Sequence, residues 1–242
     1  MKKVFVKRIL AVLTLSMFCT LSSGEVAQAS SQKFYNGHRY KVYDDAMKWS
    51  EAKTACEDKG GHLVTITSAK EQKFVAKIIS KQKMENYWIG LYKQNGEKCW
   101  VTGEEFSYQN IEVENYNQYF FGMYRADNEE RAKEAAAGKW YDHDDRLRGD
   151  LWDYTLTGYV CEWDTTPMSY ADISLKSKTF VYDGTAKKPK VAVKVGNTVL
   201  KKNRDYTIKY INNTEVGTAK VKITGKGCYK GTITKKFKIV AK

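Results

Sequence analysis

Between residues 44 and 79 the apolar positions recur every three to four residues, the period of a helix that buries one face. Asp44 or Asp45 can cap a first helix whose inward stripe is Trp49, Ala52 and Cys56, and Gly60-Gly61 ends it. HLVTI (residues 62–66) reads as a short strand. Ser68 followed three residues later by Glu71 forms a capping box, and Phe74, Val75, Ile78 and Ile79 then share one face of a second helix. YWIGL (87–91), aromatic and β-branched with a glycine inside, predicts a strand, and GYVCEW (158–163) predicts another. Residues 100–140 read mostly as loop, rich in Tyr, Asn and Glu. Within them ADNEERAKEAAAGK (126–139) has the composition of an inserted helix.

Near DTTPMSYAD (164–172) the period changes to two. Val191, Val193 and Val195 face one way; Val221 and Ile223 alternate with Lys220 and Lys222, and Ile208 and Tyr210 frame Lys209. Asp183-Gly184, Gly196-Asn197 and Asn212-Asn213 mark turns. About seventy residues of this kind predict a small antiparallel β-sandwich with a lysine-rich outer face. The chain thus divides into residues 30–164, a linker over 165–171 and an all-β domain over 172–242.

Composition adds the compartment. The chain has 242 residues with 42% apolar content, enough for real cores. Residues 1–29 read as a signal peptide: Lys2, Lys3, Lys7 and Arg8 precede an apolar run, and Ala27-Gln28-Ala29 is a small-x-small cleavage site. That run is too short to span a bilayer, and no later segment is apolar enough to be a transmembrane helix. The expected location is secreted, extracellular or cell-wall associated. Export permits disulfides among Cys56, Cys99, Cys161 and Cys228.

The net charge of +13 is unevenly spread. Residues 168–242 hold 18 basic and 4 acidic side chains, whereas residues 30–167 hold 19 and 23. A basic C-terminal block suits an anionic cell-wall polymer. Nucleic acid is not an expected partner, since no helix-turn-helix, finger or RNA-binding signature is present. Nor is an enzyme expected: there is no phosphate loop, no GxSxG elbow and no His-Glu-x-x-His.

Five motifs in order carry a family resemblance. Cys56 in the first helix, YWIGL, WVTGEEFSYQN (100–110), GKWYD (138–142) and YVCEW (159–163) resemble the C-type lectin-like domain over nearly all of residues 33–164. The resemblance implies an α+β fold with two helices and a mixed, double-looped β structure, and a disulfide from Cys56 to Cys161. FVYDG (180–184), RDYTIKY (204–210), residues 212–227 and YKGTITKKFKI (229–239) are similar to bacterial immunoglobulin-like repeats, which act as spacers or adhesive modules.

The lectin resemblance also implies a site. Family members that use calcium share the ion's oxygen shell with two sugar hydroxyls, through a Glu-Pro-Asn triplet and an Asn-Asp after a tryptophan. Here Trp140 is followed by Tyr141 and Asp142, and the triplet region holds Glu114, Asn115, Tyr116 and Asn117 without a proline. The expected ligand-binding residues are therefore Glu114, Asn115, Tyr116, Asn117, Tyr141 and Asp142. A Ca²⁺ ion, if held, takes Glu114, Asn115 and Asp142, with Asp144 in a rearranged shell. The residues alone leave another reading open, in which Trp140 is core, Asp142 satisfies a turn, and Asp144 and Asp145 pair with Arg146 and Arg148. His143 has no second histidine or cysteine at zinc-ligand spacing. The expected function is binding of carbohydrate or glycoprotein, with a calcium-independent protein adhesin as the alternative from another class.

Overall fold

Trp49, Ala52 and Cys56 turn inward on helix α1 (Trp49–Glu57), as their spacing requires. The computed structural model describes residues 32–113, 118–125, 138–145 and 157–242. The expected leader (1–29), residues 114–117 and residues 126–137 of the expected inserted helix (126–139) lie outside the described residues.

The cap of α1 differs from the expected one. Lys48 N donates to Glu51 Oε2 at 3.0 Å, and Ser50 N and Oγ donate to Asp145 at 3.1 and 2.5 Å. Orphan N–H groups of the first turn are thus satisfied partly from 95 residues away. Asp44 instead accepts from Tyr87 Oη at 2.6 Å and Lys83 N at 3.2 Å. Helix α2 (Ala69–Ile79) starts at Ser68, whose hydroxyl accepts from Glu71 N. The Glu71 carboxylate does not close the box on Ser68. It is buried, accepting from Thr67 N at 3.0 Å and from Tyr40 Oη at 2.7 Å.

Nine strands flank these helices. Their order is β1 (Lys33–Tyr35), β2 (His38–Tyr43), β9 (Thr157–Trp163), β4 (Asn86–Gln94), β7 (Phe120–Tyr124), β8 (Trp140–His143) and β6 (Ile111–Val113), with β3 (His62–Leu63) on β9 and β5 (Glu97–Trp100) on β4. β9 joins the two ends of this part of the chain. It runs antiparallel to β2, with Lys41 opposite Cys161, and parallel to β4, with Trp88 opposite Tyr159. Gly90 inside β4 has a steric reason: a Cβ there would lie 2.7 Å from the Leu63 carbonyl oxygen. Tyr87, Ile89, Leu91, Trp100, Phe121, Trp140 and Val160 fill one core with α2. Trp49, Ala52, Leu63, Trp88 and Tyr159 fill a second around the Cys56–Cys161 disulfide, whose Cα atoms are 5.5 Å apart. Closing 105 residues in this way contributes about 4–5 kcal/mol in the chain-entropy model.

The C-terminal region is strand-rich. β11 (Ala171–Leu175), β13 (Val191–Val195) and β14 (Thr198–Val199) form one sheet. β12 (Thr179–Val181), β18 (Thr232–Val240), β16 (Gly217–Gly225) and β15 (Tyr206–Ile211) form another, and β10 (Thr166–Pro167) pairs with β17 (Tyr229–Lys230). Ala219, Val221 and Ile223 are buried while Lys220 and Lys222 are exposed, the alternation read from the sequence. Cys99 and Cys228 are free, partly buried thiols. Thr166 N donates to Cys228 O and its hydroxyl to Gly37 O, both at 2.8 Å. Phe34 of β1 packs against Tyr170 with ring centroids 5.5 Å apart. Among the described residues no helix is long and apolar enough to cross a membrane.

Candidate recognition face and its internal cation

The tryptophan of GKWYD sets the position of the acidic residues after it. Trp140 is fully buried, donates its indole N–H to Gln72 Oε1 at 2.8 Å, and meets Trp100 edge-on at 5.6 Å. β8 then runs antiparallel to β7, with Tyr141 opposite Gly122 and Asp142 opposite Phe121.

Tyr141 is only 6% exposed. Its ring stacks on Tyr124 at 4.3 Å and lies over Gly122, where a Cβ would come within 2.6 Å of the phenol oxygen. Asp142 is also buried, and the ammonium of Lys93 from β4 stands 3.4 Å from its Oδ2 and 5.6 Å from the Phe121 ring. A carboxylate taken out of water needs an opposite charge or a full set of donors. Lys93 supplies the charge. The backbone holds this lysine in place, since Lys93 N donates to Tyr119 O at 2.7 Å.

The remaining acidic residues of the cluster are also engaged. His143 Nδ1 donates to Asp144 O at 2.8 Å and lies 3.3 Å from Asp144 Oδ1, while the ring packs edge-on to Trp88. Asp145 holds Ser50 at the start of α1. Arg146 and Arg148, the partners expected for Asp144 and Asp145, lie outside the described residues, as do Glu114, Asn115, Tyr116 and Asn117. The structure therefore brings Tyr141 and Asp142 together on β8 but turns both side chains inward. Tyr119, two residues beyond Asn117, is 59% exposed on this face.

A calcium shell needs about six to eight oxygens with spare negative charge. In the described part of the expected set, Asp142 lies against Lys93, Tyr141 is folded onto Gly122 and Tyr124, and Asp144 lies against His143. Lys93 was not a sequence candidate. It stands at the end of a largely apolar strand, next to Gln94 and 49 residues from its partner.

Two other places carry concentrated chemistry. A groove of about 580 Å³ between β1 and α2 has Phe34, Phe74 and Ile78 in its wall and Lys33, Lys77 and Lys81 around it. At the opposite side of β9, Glu162 is 1% exposed and its Oε1 lies 2.6 Å from His38 Nδ1. That hydrogen bond holds the His38 imidazole above its ordinary pKa, against the opposing effect of burial.

The fold and this face define a binding protein of the double-looped lectin type. The lectin C-type domain model matches residues 45–162. Snaclec 3 of Sistrurus catenatus edwardsii is 37% identical over 105 residues, covering 40% of this chain and 70% of that protein. The alpha chain of snaclec bothrojaracin from Bothrops jararaca, named as one subunit of that protein, is 37% identical over 106 residues, 40% of this chain and 68% of that one. Among solved structures, the Ca²⁺-independent C-type lectin SPL-2 from Saxidomus purpuratus is 26% identical, with a TM-score of 0.45, over 56% of this chain and 92% of that chain. The chain belongs to the C-type lectin domain family. It is a binding protein, not an enzyme.

Proposed function

We propose that the chain is an exported binding protein that recognises carbohydrate or glycoconjugate without calcium, through the exposed Tyr119 and the residues around it in sequence. The observation that carries this reading is the Lys93–Asp142 pair, an internal cation at the aspartate that the family uses for an external one. With no ion to chelate sugar hydroxyls, recognition falls to rings and hydrogen-bonding groups. An exposed tyrosine supplies an apolar face and a polar tip together. Glu114, Asn115, Tyr116 and Asn117 are proposed as ligand-binding residues together with Tyr141 and Asp142.

The experiment is a glycan array with the full chain, in calcium and in chelator, beside Tyr119→Ala. Signals unchanged by chelator and lost in the variant support the reading; signals abolished by chelator overturn it. An array without signal favours the second reading, a calcium-independent protein adhesin. That reading draws on the relative named as one subunit of a larger protein and on the same exposed tyrosine.

Residues 172–242 are proposed as a bacterial immunoglobulin-like module, with residues 165–171 as the junction and residues 1–29 as the leader. Its exposed face sets Lys209 opposite Lys222 and Lys220 opposite Lys236. Like charges directly across a sheet repel, so an anionic wall polymer is the proposed partner of this face.

A further inference from the structure

Three neighbouring strands end with metal-binding side chains on one side. His38 opens β2, His62 opens β3, and both strands pair with β9, where Glu162 lies opposite Tyr40 on one flank and His62 on the other. Asp164 follows β9 directly. His38, Glu162 and Asp164 bring one ligand atom each within 4.8 Å of one another. His38 Nδ1 is 2.6 Å from Glu162 Oε1 and 4.0 Å from Asp164 Oδ1, and His62 Nε2 is 3.1 Å from that same Asp164 oxygen.

The protons decide what this arrangement is for. His62 Nδ1 lies 2.8 Å from the Leu63 carbonyl oxygen. A carbonyl can only accept, so Nδ1 carries hydrogen, and in the neutral ring Nε2 then points a lone pair at a carboxylate oxygen. Two acceptors at 3.1 Å require a cation between them, either a second ring proton or a metal ion. The surroundings are those of ligands already aimed. The Leu63 carbonyl fixes the His62 tautomer, and Thr65 N donates at 3.0 Å to Glu162 Oε2, leaving Oε1 directed at His38.

We propose that His38, His62, Glu162 and Asp164 form a divalent metal site of zinc type. Two imidazoles and two carboxylates are a donor set that tetrahedral Zn²⁺ accepts. Bonds of roughly 2.0–2.1 Å in that geometry place neighbouring ligand atoms about 3.3 Å apart. The observed spacings of 2.6 and 4.0 Å among His38, Glu162 and Asp164 straddle that value, and His62 reaches this group through Asp164 at 3.1 Å, so it joins the shell by turning its ring toward the ion. Entry is open on one side: the Asp164 side chain is 67% exposed, while Glu162 forms the floor. In the sheet this site is separated from Asp142 on β8 by strands β4 and β7. It would fasten β2, β3 and β9 just before the chain enters residues 165–167, where Arg39 Nε already donates to Thr165 O at 3.0 Å.

The test is a calorimetric titration of Zn²⁺ into the chelator-stripped full chain, with Co²⁺ as an optical probe. The expected result is one equivalent bound, tetrahedral visible bands for Co²⁺, and affinity at least about 10-fold weaker in His62→Gln and in Asp164→Asn. Asp164 is exposed, so its variant keeps the fold and isolates the ligand. Zinc binding that survives both substitutions, or no binding by the wild-type chain, overturns the site. Co²⁺ spectra dominated by thiolate charge transfer and lost in a Cys99→Ser/Cys228→Ser chain also overturn it, by assigning the metal to the free thiols.

Discussion

Lys93 and Asp142 are the two residues that most change how this lectin-like face is read. Asp142 is buried and Lys93 is half-buried beside it, so the ammonium offsets a carboxylate that has been taken out of water. Lys93→Met removes one partner and leaves a buried carboxylate, at a cost of about 3 kcal/mol in chemical denaturation. Lys93→Met with Asp142→Leu should recover most of that loss, and a single variant as stable as wild type would contradict the pairing. Asp205 shows the same logic at a turn, where it accepts from Arg204 Nε at 2.7 Å, Arg204 Nη2 at 2.8 Å and Lys201 N at 2.7 Å. The Arg204 hydrogen bonds hold its carboxyl below the ordinary carboxylate range. A lowered folded pKa adds stability that is present above the unfolded value near pH 4 and is lost as pH falls through the folded one. Asp205→Asn should therefore cost about 1–3 kcal/mol at neutral pH and flatten the acid limb of the stability profile. Asp142 was legible in the sequence because it follows the tryptophan of a motif. Lys93 was not, because a lysine in a strand ordinarily reads as a solvent-facing residue.

At the scale of elements, periodicity located both helices and the strands around YWIGL and YVCEW, since burial of one face imposes spacing directly on the chain. The caps were harder to read because they need not be local. Asp44 and Asp45 stand where a cap of α1 is expected, yet Asp145 serves Ser50 from across the fold and Asp44 serves Tyr87. Asp145→Ala should destabilise the chain by about 1 kcal/mol, measured by urea unfolding, while Asp45→Ala should leave it unchanged. The reverse order would place the cap back at the local aspartates. Glu71 carries a similar lesson. Its spacing from Ser68 is that of a capping box, but Tyr40 and Thr67 draw the carboxylate into the core, where burial raises its pKa. The disulfide followed from the family pattern alone; it ties Cys56 of α1 to Cys161 of β9, which lies between β2 and β3 with Lys41 and Leu63 both opposite it.

At the scale of the molecule, the acidic balance of the lectin-like part and the strongly basic C-terminal strands were plain in composition. Alternation also predicted which lysines face out. What composition could not give is how charge is placed: Lys209 across from Lys222, Lys220 across from Lys236, and Lys93 inward against Asp142. Nor could it assemble His38, His62, Glu162 and Asp164, which are separated by up to 126 positions and meet only because β9 inserts between β2 and β3. Under the proposed function, Lys93 stands at Asp142 in place of a calcium ion. Calorimetric titration of Ca²⁺ into the full chain, beside Asp142→Asn, tests it most directly. Indistinguishable heats for the two proteins are expected; a calcium site present in the wild type and lost in Asp142→Asn would overturn the lysine-for-calcium reading.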